Sequence, residues 1–230
     1  MRKKGAPGRA PLTRELVLRT ALAMADADGI ESLSMRQLGG RLGVEAMSLY
    51  NHVANKDDIL DGILELVVEE IAVPGPDAPW RTAMRDRAVS ARNAFSRHPW
   101  AAALMDSRAQ SGPGRLRYFD AIVGSLTGAG FSLDIAGRAF SVLDCYIYGF
   151  ARQRLGMVSG DEPKAEARAE ALKESVPEDA YPHLTRMIAW TMENGYDEDA
   201  DFVFGLNLIL DGLEDILERA SGSSSTTFPE

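Results

Sequence analysis

Residues 33–56 read LSMRQLGGRLGVEAMSLYNHVANK, and this stretch decides the fold. Ser34 is followed three residues later by Gln37, which is the spacing of a capping box at the start of a helix. Gly43 supplies a residue that adopts positive φ after the last turn of that short helix, and a second apolar pattern begins at Val44. Two short helices joined at a glycine predict a helix-turn-helix.

Helical periodicity extends through the rest of the chain, and no segment shows the alternation typical of a strand. Thr13 is the expected cap of a first helix that stops at Gly29, and Asn55 is the expected cap of a fourth. The sequence therefore predicts an all-α protein. The predicted segments are a flexible basic arm, a helix-turn-helix domain, a connecting helix, a larger helical body and a disordered tail, at residues 1–12, 13–56, 57–73, 79–220 and 221–230.

Charge is distributed unevenly along the chain. The whole sequence carries −9, but residues 1–56 hold nine Lys/Arg and five Asp/Glu, which leaves +4 on this part and −13 on the rest. A basic end on an acidic body indicates a polyanion partner at that end. The cluster Arg2, Lys3, Lys4 and Arg9 is either a flexible arm that reaches DNA or a solvated tail.

Composition predicts a protein of the cytoplasm. A hydrophobic content of 45% over 230 residues allows a large core. The start of the chain lacks the apolar region of a signal peptide, and no apolar run reaches about 18 residues, so secretion and membrane spanning are disfavoured. The single Cys145 cannot form an intrachain disulfide, and no Cys/His spacing resembles a zinc site, so no metal or cofactor is predicted.

The last predicted helix, residues 197–219, carries more apolar surface than one core-facing side requires. One seam starts at Val203 and continues through leucines at alternating steps of three and four. A second stripe contains Phe202, Ile209 and Ile216. The extra stripe favours a partner subunit, and the alternative is a helix fully buried in a single-chain bundle.

Short motifs in both parts of the chain resemble those of a known family. In the N-terminal part they are Leu12-Thr13-Arg14-Glu15, Asp28-Gly29-Ile30, Leu33-Ser34-Met35-Arg36, Leu42-Gly43-Val44, Ser48-Leu49-Tyr50 and Asn55-Lys56-Asp57. In the body they are Trp80, Ser96-Arg97-His98, Gly130-Phe131-Ser132-Leu133 and Gly212-Leu213-Glu214. Together they are similar to the tetracycline repressor (TetR) family of bacterial regulators over nearly the whole chain.

The resemblance implies an Ω-shaped homodimer whose two N-terminal domains read successive major grooves of a palindromic operator, usually to block transcription. In the family, a long helix before a polar loop and the final helix form a four-helix bundle with their mates, and here these helices are residues 132–156 and 197–219. The predicted dimerisation residues are Phe140, Ile147, Phe150, Val203, Leu206, Leu210, Leu213 and Leu217.

The resemblance also implies which side chains contact a double-stranded DNA operator. The first residues of the second helix of the motif enter the major groove, and Tyr50 and His52 match the phosphate-contacting pair of the family. The predicted DNA contacts are Arg36, Glu45, Ala46, Met47, Ser48, Tyr50, Asn51, His52 and Lys56. For Glu45 the alternative is a simple interaction with the helix dipole.

Family regulators respond to a small molecule held in the body, so the resemblance implies an effector, here a small apolar or amphipathic organic compound. The predicted lining residues are Met84, Ala91, Phe95, Met105, Arg108, Phe119, Ile122, Leu143, Tyr146, Met187 and Trp190. Arg108 is expected to face an anionic group of this ligand. The apolar positions can equally be plain core, because pockets and cores are lined by the same side chains.

The chain departs from the tetracycline-binding members, which hold a drug–magnesium complex with histidines. Met105 stands where the metal-binding histidine is expected, and a thioether is a poor ligand for Mg²⁺. The connecting helix offers Val67, Val68, Glu69 and Glu70 where a pocket histidine is expected. The sequence therefore predicts no tetracycline–magnesium binding.

Two other classes of function remain open from the residues alone. A helical enzyme has little support, because there is no Gly-x-Ser-x-Gly elbow and the three histidines, His52, His98 and His183, are scattered. A protein-binding scaffold leaves the basic arm and the helix-turn-helix unexplained. The prediction is a ligand-responsive repressor without enzymatic activity.

Overall fold

The computed structural model describes residues 11–75, 77–108, 112–158, 170–173, 175–195 and 197–223. Every regular element in these ranges is helical, which confirms the predicted all-α class. The helices with defined bounds are α1 Arg14–Asp28, α2 Met35–Leu42, α3 Ala46–Leu49, α4 Lys56–Glu69, α5 Trp80–Arg97, α6 Ala101–Ser107, α7 Pro113–Gly128, α8 Leu133–Val158, α9 Pro182–Asn194 and α10 Glu198–Ser223, with a 3-10 turn at Ile30–Ser32.

The two predicted terminal segments are described only in part. Of the predicted basic arm, residues 1–10 lie outside the described residues, and so do Arg2, Lys3, Lys4 and Arg9. At the other end, α10 continues through residues 221–223, three positions past the predicted start of the tail, and the limit of the tail stays a prediction. Residues 224–230 lie outside the described residues.

Local backbone interactions begin and end the first helices as the sequence predicts. The Thr13 hydroxyl oxygen accepts a hydrogen bond from the Leu16 N–H at 3.1 Å, and the Ser34 hydroxyl oxygen accepts one from the Gln37 N–H at 3.3 Å. The Gln37 side chain differs from the capping-box pattern, because its Oε1 accepts from the Ser34 hydroxyl at 2.7 Å. Gly43 closes α2 in the left-handed region, at φ 60°.

Helices α2 and α3 approach each other closely at Gly39. A Cβ atom at this position would lie 2.9 Å from the carbonyl oxygen of Val44 and 3.2 Å from the backbone nitrogen of Ala46. Any side chain here would therefore push α3 away from α2. This glycine was not predicted from the sequence to be important, although it determines how the two helices of the motif pack.

Helix α4 is shared between the helix-turn-helix and the body. It packs against α1 on one side and against α5, α6 and α7 on the other. The described residues accordingly divide into two compact units after Ala129, with α1–α7 in the first and α8–α10 in the second. This division lies beyond the predicted boundary at 74–79, because α4 holds α5–α7 to the helix-turn-helix. The domain limits proposed from the sequence stay a prediction.

The second unit is built on packing between α8 and α10. Phe202 is fully buried, stacks on Tyr146 at a ring-centroid distance of 5.3 Å, and accepts a hydrogen bond at its carbonyl oxygen from the Tyr146 hydroxyl at 2.8 Å. The prediction of dimer contacts is wrong for the residues that this core buries within the protomer, where no partner can reach them. These are Ile147, Leu206, Leu210 and Leu213.

The outward side of α10 carries large apolar side chains. Phe204 is 67% exposed, Leu208 is 59% exposed and Ile216 is 41% exposed. With Gly212 these residues recur at steps of four, and we call them the α10 outer row. On α8, Val142 is 50% exposed. The remaining predicted dimer residues, Phe140, Phe150, Val203 and Leu217, are half-buried.

Among the described residues, no helix combines the length and apolar character needed to cross a membrane.

Candidate nucleic-acid interface and its link to the body

The second helix of the motif, α3, and the residues that follow it up to Val53 form what we call the recognition segment. This segment has one buried and one exposed face. α3 is a single turn, and backbone hydrogen bonds from the N–H groups of His52 and Val53 to the Leu49 carbonyl, at 2.8 and 3.0 Å, continue it. Leu49 and Val53 are buried and fix the segment to the domain. Met47, 75% exposed, and Tyr50, 47% exposed, therefore point outward.

The other predicted DNA contacts lie around this exposed face. Met47 and Tyr50 are joined by further exposed residues, which are Arg36, Glu45, Asn51 and Lys56. Ala46, Ser48 and His52 are half-buried. The segment thus presents a thioether, a phenol, an amide and cations to the outside, which are groups able to contact base edges and phosphates.

An ion pair that the sequence analysis missed holds this segment in place. Arg14, at the start of α1, binds both carboxylate oxygens of Asp58 in α4, at 2.9 and 2.6 Å. Arg14 also donates to the carbonyl of His52 at 3.2 Å, and Asp58 accepts from the Ala54 N–H at 2.8 Å. The hydrogen bond from Arg14 lowers the pKa of Asp58, and the same hydrogen bond raises the pKa of Arg14. The pair therefore connects α1, the end of the recognition segment and α4.

We expect Asp58→Asn to lower the free energy of unfolding by about 1 kcal/mol at pH 7, because Arg14 is partly exposed and solvent screens the pair. The contribution of this carboxylate is complete above 3.8, its ordinary pKa, and is lost as the pH falls through the lower pKa of the folded state. Urea unfolding at pH 7 and in acid checks both points. Glu69→Gln, an exposed carboxylate on α4, is the control, and an equal effect of the two variants would contradict the prediction.

Carboxylates along α4 connect it to three helices of the body. Arg108, which follows α6, donates to Asp57 at 2.8 Å and to Asp61 at 2.7 Å. One turn further on, Glu65 accepts from the Gly114 N–H at 2.8 Å and so caps the start of α7. Glu70, just after α4, accepts from the guanidinium of Arg97 and lies beside His98, both at the end of α5. We call Asp57, Asp61, Glu65 and Glu70 the α4 anchors.

The prediction that Arg108 faces an anionic ligand is wrong in this structure. Its side chain is 17% exposed, and its charge is satisfied by Asp57 and Asp61. The spacing of Asp57, Asp61 and Glu65 at steps of four does appear in the sequence, and it indicates that they share one face of a helix. It does not reveal which helix lies opposite, which is why Arg108 was assigned to the cavity.

We expect Arg108→Ala to lower the free energy of unfolding by about 1 to 2 kcal/mol, because it leaves two carboxylates without their cation. Arg138→Ala is the matched control, since Arg138 forms an exposed i,i+4 pair with Asp134 and should contribute less than about 0.5 kcal/mol. Urea unfolding of both variants at one protein concentration measures the difference. Equal losses in the free energy of unfolding would show that the ion pairs of Arg108 contribute no more than an ordinary surface ion pair.

The predicted effector-lining residues fall into three groups. Those that are buried are Met84, Ala91, Phe95, Met105, Ile122 and Leu143. Phe119 and Tyr146 are half-buried. Met187 and Trp190 are each 62% exposed on α9, where they line an open pocket of about 490 Å³ with His183, Arg186, Ala189 and Glu193, and their role in effector binding stays a prediction.

A buried cation, Arg87, lies on the same face of α5 as two of the predicted lining residues. It follows Met84 by three positions and precedes Ala91 by four, and it is only 1% exposed. Its Nε donates to the Tyr118 hydroxyl at 2.6 Å, and its guanidinium carbon lies 5.2 Å from the centre of that ring. The sequence analysis passed over Arg87, although a charged residue within the apolar period of α5 was the available signal.

A helix-turn-helix with an exposed recognition face, joined by a helix to a helical body, defines a DNA-binding regulator. Residues 73–217 match the family model described as tetracyclin repressor-like, C-terminal domain. The chain is 31% identical to the HTH-type transcriptional repressor DrrR1 of Streptomyces coeruleorubidus, over 95% of this chain and 84% of that protein. It is 30% identical to the class C tetracycline repressor of Escherichia coli, over 88% of this chain and 91% of that protein.

Solved structures agree with this assignment. The crystal structure of apo ActR from Streptomyces coelicolor superposes with a TM-score of 0.77 at 28% identity, covering 93% of this chain and 100% of that one. The structure of ActR in complex with actinorhodin gives 0.75 at 28% identity, with 90% and 98% covered. The chain belongs to the TetR family of transcriptional regulators and has the tetracycline-repressor-like type of C-terminal domain.

Proposed function

We propose that this regulator is a repressor that binds a palindromic operator as a homodimer in the cytoplasm and is released by a small organic effector. The observation that carries the proposal is the recognition segment, whose Leu49 side is buried while Met47 and Tyr50 are exposed. That geometry leaves the outward face free to enter a major groove. The similarity to the repressor DrrR1 and to the class C tetracycline repressor supports the same function.

The chemistry of the exposed face suggests a division of roles. Met47 and Ala46 suit the methyl groups of thymine, and Asn51 can bond an adenine edge. Ser48 can contact either a base or a phosphate. Tyr50, His52 and Lys56 suit phosphate oxygens, which set the position of the domain on the duplex without reading its sequence.

The proposed homodimer uses the α10 outer row together with α8. Exposed phenylalanine and leucine side chains arranged on one helix face mark an interaction surface. Gly212 lies within the row, and a Cβ atom at this position would have no other heavy atom within 4 Å. A partner helix can therefore approach the backbone of Gly212. A second copy of this chain is the proposed occupant, because two half-sites about one helical turn apart require two recognition segments.

The proposed effector site lies in the body and uses the buried face of α5. The solved complexes of ActR with actinorhodin and with (S)-DNPA support a small-molecule effector. Met105 is buried and provides no hard ligand, so we keep the prediction that tetracycline–magnesium is not the effector.

Release of DNA is proposed to pass through α4. An effector changes DNA binding only if it favours one arrangement of the body over another. The α4 anchors couple α5, α6 and α7 to this helix, and α4 begins three residues after Val53 of the recognition segment. A tilt of α4 changes the separation of two recognition segments, which must stay near about 34 to 36 Å to fit successive grooves.

Selection of bound duplexes from a random DNA pool by the full chain, at low salt, tests the proposal. The expected result is an enriched palindrome whose half-sites are centred about one helical turn apart. If a folded dimer enriches no palindrome, the free protein is not an operator-binding repressor. An enriched site also supplies the assay in which actinorhodin and other organic compounds can be tested as effectors.

A further inference from the structure

His98 occupies a junction of three helices in the first unit. It is the residue that ends α5, and it is only 6% exposed. Its Nδ1 lies 2.8 Å from a carboxylate oxygen of Asp26 in α1, and its Nε2 lies 3.2 Å from a carboxylate oxygen of Glu70, which directly follows α4. The imidazole ring thus bridges the helix-turn-helix domain, the connecting helix and the body.

The number of protons on the ring decides how many of these contacts are hydrogen bonds. A neutral imidazole has one N–H and one lone pair, and an ionised carboxylate only accepts. In either neutral tautomer, one ring nitrogen therefore directs its lone pair at a carboxylate oxygen. The imidazolium has two N–H groups and donates to both carboxylates at once.

Hydrogen-bond donors from α5 and the residues after it lie beside both carboxylates. The Trp100 indole N–H donates to Asp26 at 2.8 Å, and the Arg97 Nε donates to Glu70 at 3.1 Å. Burial raises the pKa of Glu70, but hydrogen bonds from Arg97 and His98 outweigh it and hold the pKa below its ordinary value. The charged groups facing the ring are Asp26 of α1, Glu70 beside α4 and Arg97 of α5, so an imidazolium brings this cluster to neutrality.

We propose that His98 is a proton-dependent strut: as an imidazolium it ties both Asp26 of α1 and Glu70, which follows α4, to the end of α5, and it loses one of these ties when it is deprotonated. Histidine is the side chain that changes charge near neutral pH. The position of α1 relative to α5 therefore depends on pH. Because linkage is reciprocal, any event that separates these helices also changes proton binding at His98. The consequence for operator binding rests on the proposed function.

Amide hydrogen exchange of the full chain without DNA tests the strut itself. We expect protection in the last turn of α1, corrected for the intrinsic pH dependence of exchange, to fall by about tenfold between pH 6 and pH 8.5. The fall should follow the loss of the His98 proton, observed in the same samples by ¹⁵N NMR of labelled histidine. With only three histidines in the chain, the His98 signal is identified by its absence in His98→Asn.

Two variants and one control make the result decisive. His98→Asn and Asp26→Asn should both abolish the pH dependence of protection, and Asp26→Asn does so with the ring still present if the first variant folds poorly. His183→Asn, a change of an exposed histidine on α9, should behave like the native chain. The strut is overturned if native protection is constant, if it changes equally in Asp26→Asn, or if it changes over a pH range in which His98 does not titrate.

Operator affinity measured over the same pH range separates the strut from the proposed function. His52→Gln is the background for this measurement, because His52 is itself a predicted phosphate contact. A pH-dependent affinity that disappears on adding His98→Asn supports a regulatory strut. If exchange shows the strut but no operator can be selected, the repressor proposal fails while the strut stands. An operator affinity that ignores pH in the His52→Gln background overturns the regulatory role of His98.

Discussion

The double variant Tyr50→Ala, Lys56→Ala is expected to bind its operator about 100- to 1,000-fold more weakly than the native chain at the same salt concentration. The proposed homodimer would lose four proposed phosphate contacts at once, and contacts of this kind contribute on the order of 1 kcal/mol each. Because two of the four are cations, the slope of log affinity against log salt should decrease by about two. A titration of labelled operator duplex at several salt concentrations measures both quantities.

The matched control carries the same two changes in the second unit. Tyr181 and Lys173 are exposed and lie outside the recognition segment. Tyr181→Ala, Lys173→Ala should leave the affinity and the salt slope within about twofold of the native values. Parallel losses in the two double variants would mean that bulk charge, and not the recognition segment, holds the DNA.

The second large effect is expected at the α10 outer row. Phe204→Glu, Leu208→Glu should convert the proposed homodimer to a monomer of 25.0 kDa, because each two-fold interface would then bury four added carboxylates. Operator affinity should fall by about 1,000-fold or more, since a monomer contacts only one half-site. Sedimentation equilibrium gives the mass, and the operator titration gives the affinity.

Leu116→Glu is the control for this experiment. Leu116 is 58% exposed in α7 of the first unit, so it tests the addition of a charge to another exposed apolar position. We expect the Leu116 variant to stay dimeric and to bind the operator normally. A Phe204→Glu, Leu208→Glu protein that keeps the mass of a dimer would place the interface elsewhere.

Features determined by neighbouring residues were predictable from the sequence. The caps at Thr13, Ser34 and Asn55 and the left-handed Gly43 all depend on interactions within a few residues, so the local sequence contains the information. The exposed face of the recognition segment follows from the same reasoning, because Leu49 and Val53 share one side of it.

Features that depend on which helices face each other were not predictable. Phe202 was assigned from the sequence to the stripe that faces a partner, but it is buried together with Leu206 and Leu210. Phe204 and Leu208, which belong to neither predicted stripe, are the exposed residues. The prediction of the partner of Arg108 failed for the same reason. Arg108 can meet a ligand or a carboxylate according to the sequence, and the choice depends on where α4 lies.

The distance between the first and last α4 anchors determines how far one end of the connecting helix moves when the helix rotates. Asp57 and Glu70 are 13 residues apart, which corresponds to about 20 Å along a helix axis. Over that length, a rotation of only about 5° carries one end through about 2 Å relative to the other, by the geometry of a straight helix. In the proposed mechanism, a small movement of α5 against Glu70, at the far end of α4, would therefore be transmitted along the helix to the end next to the recognition segment without any bending of the helix.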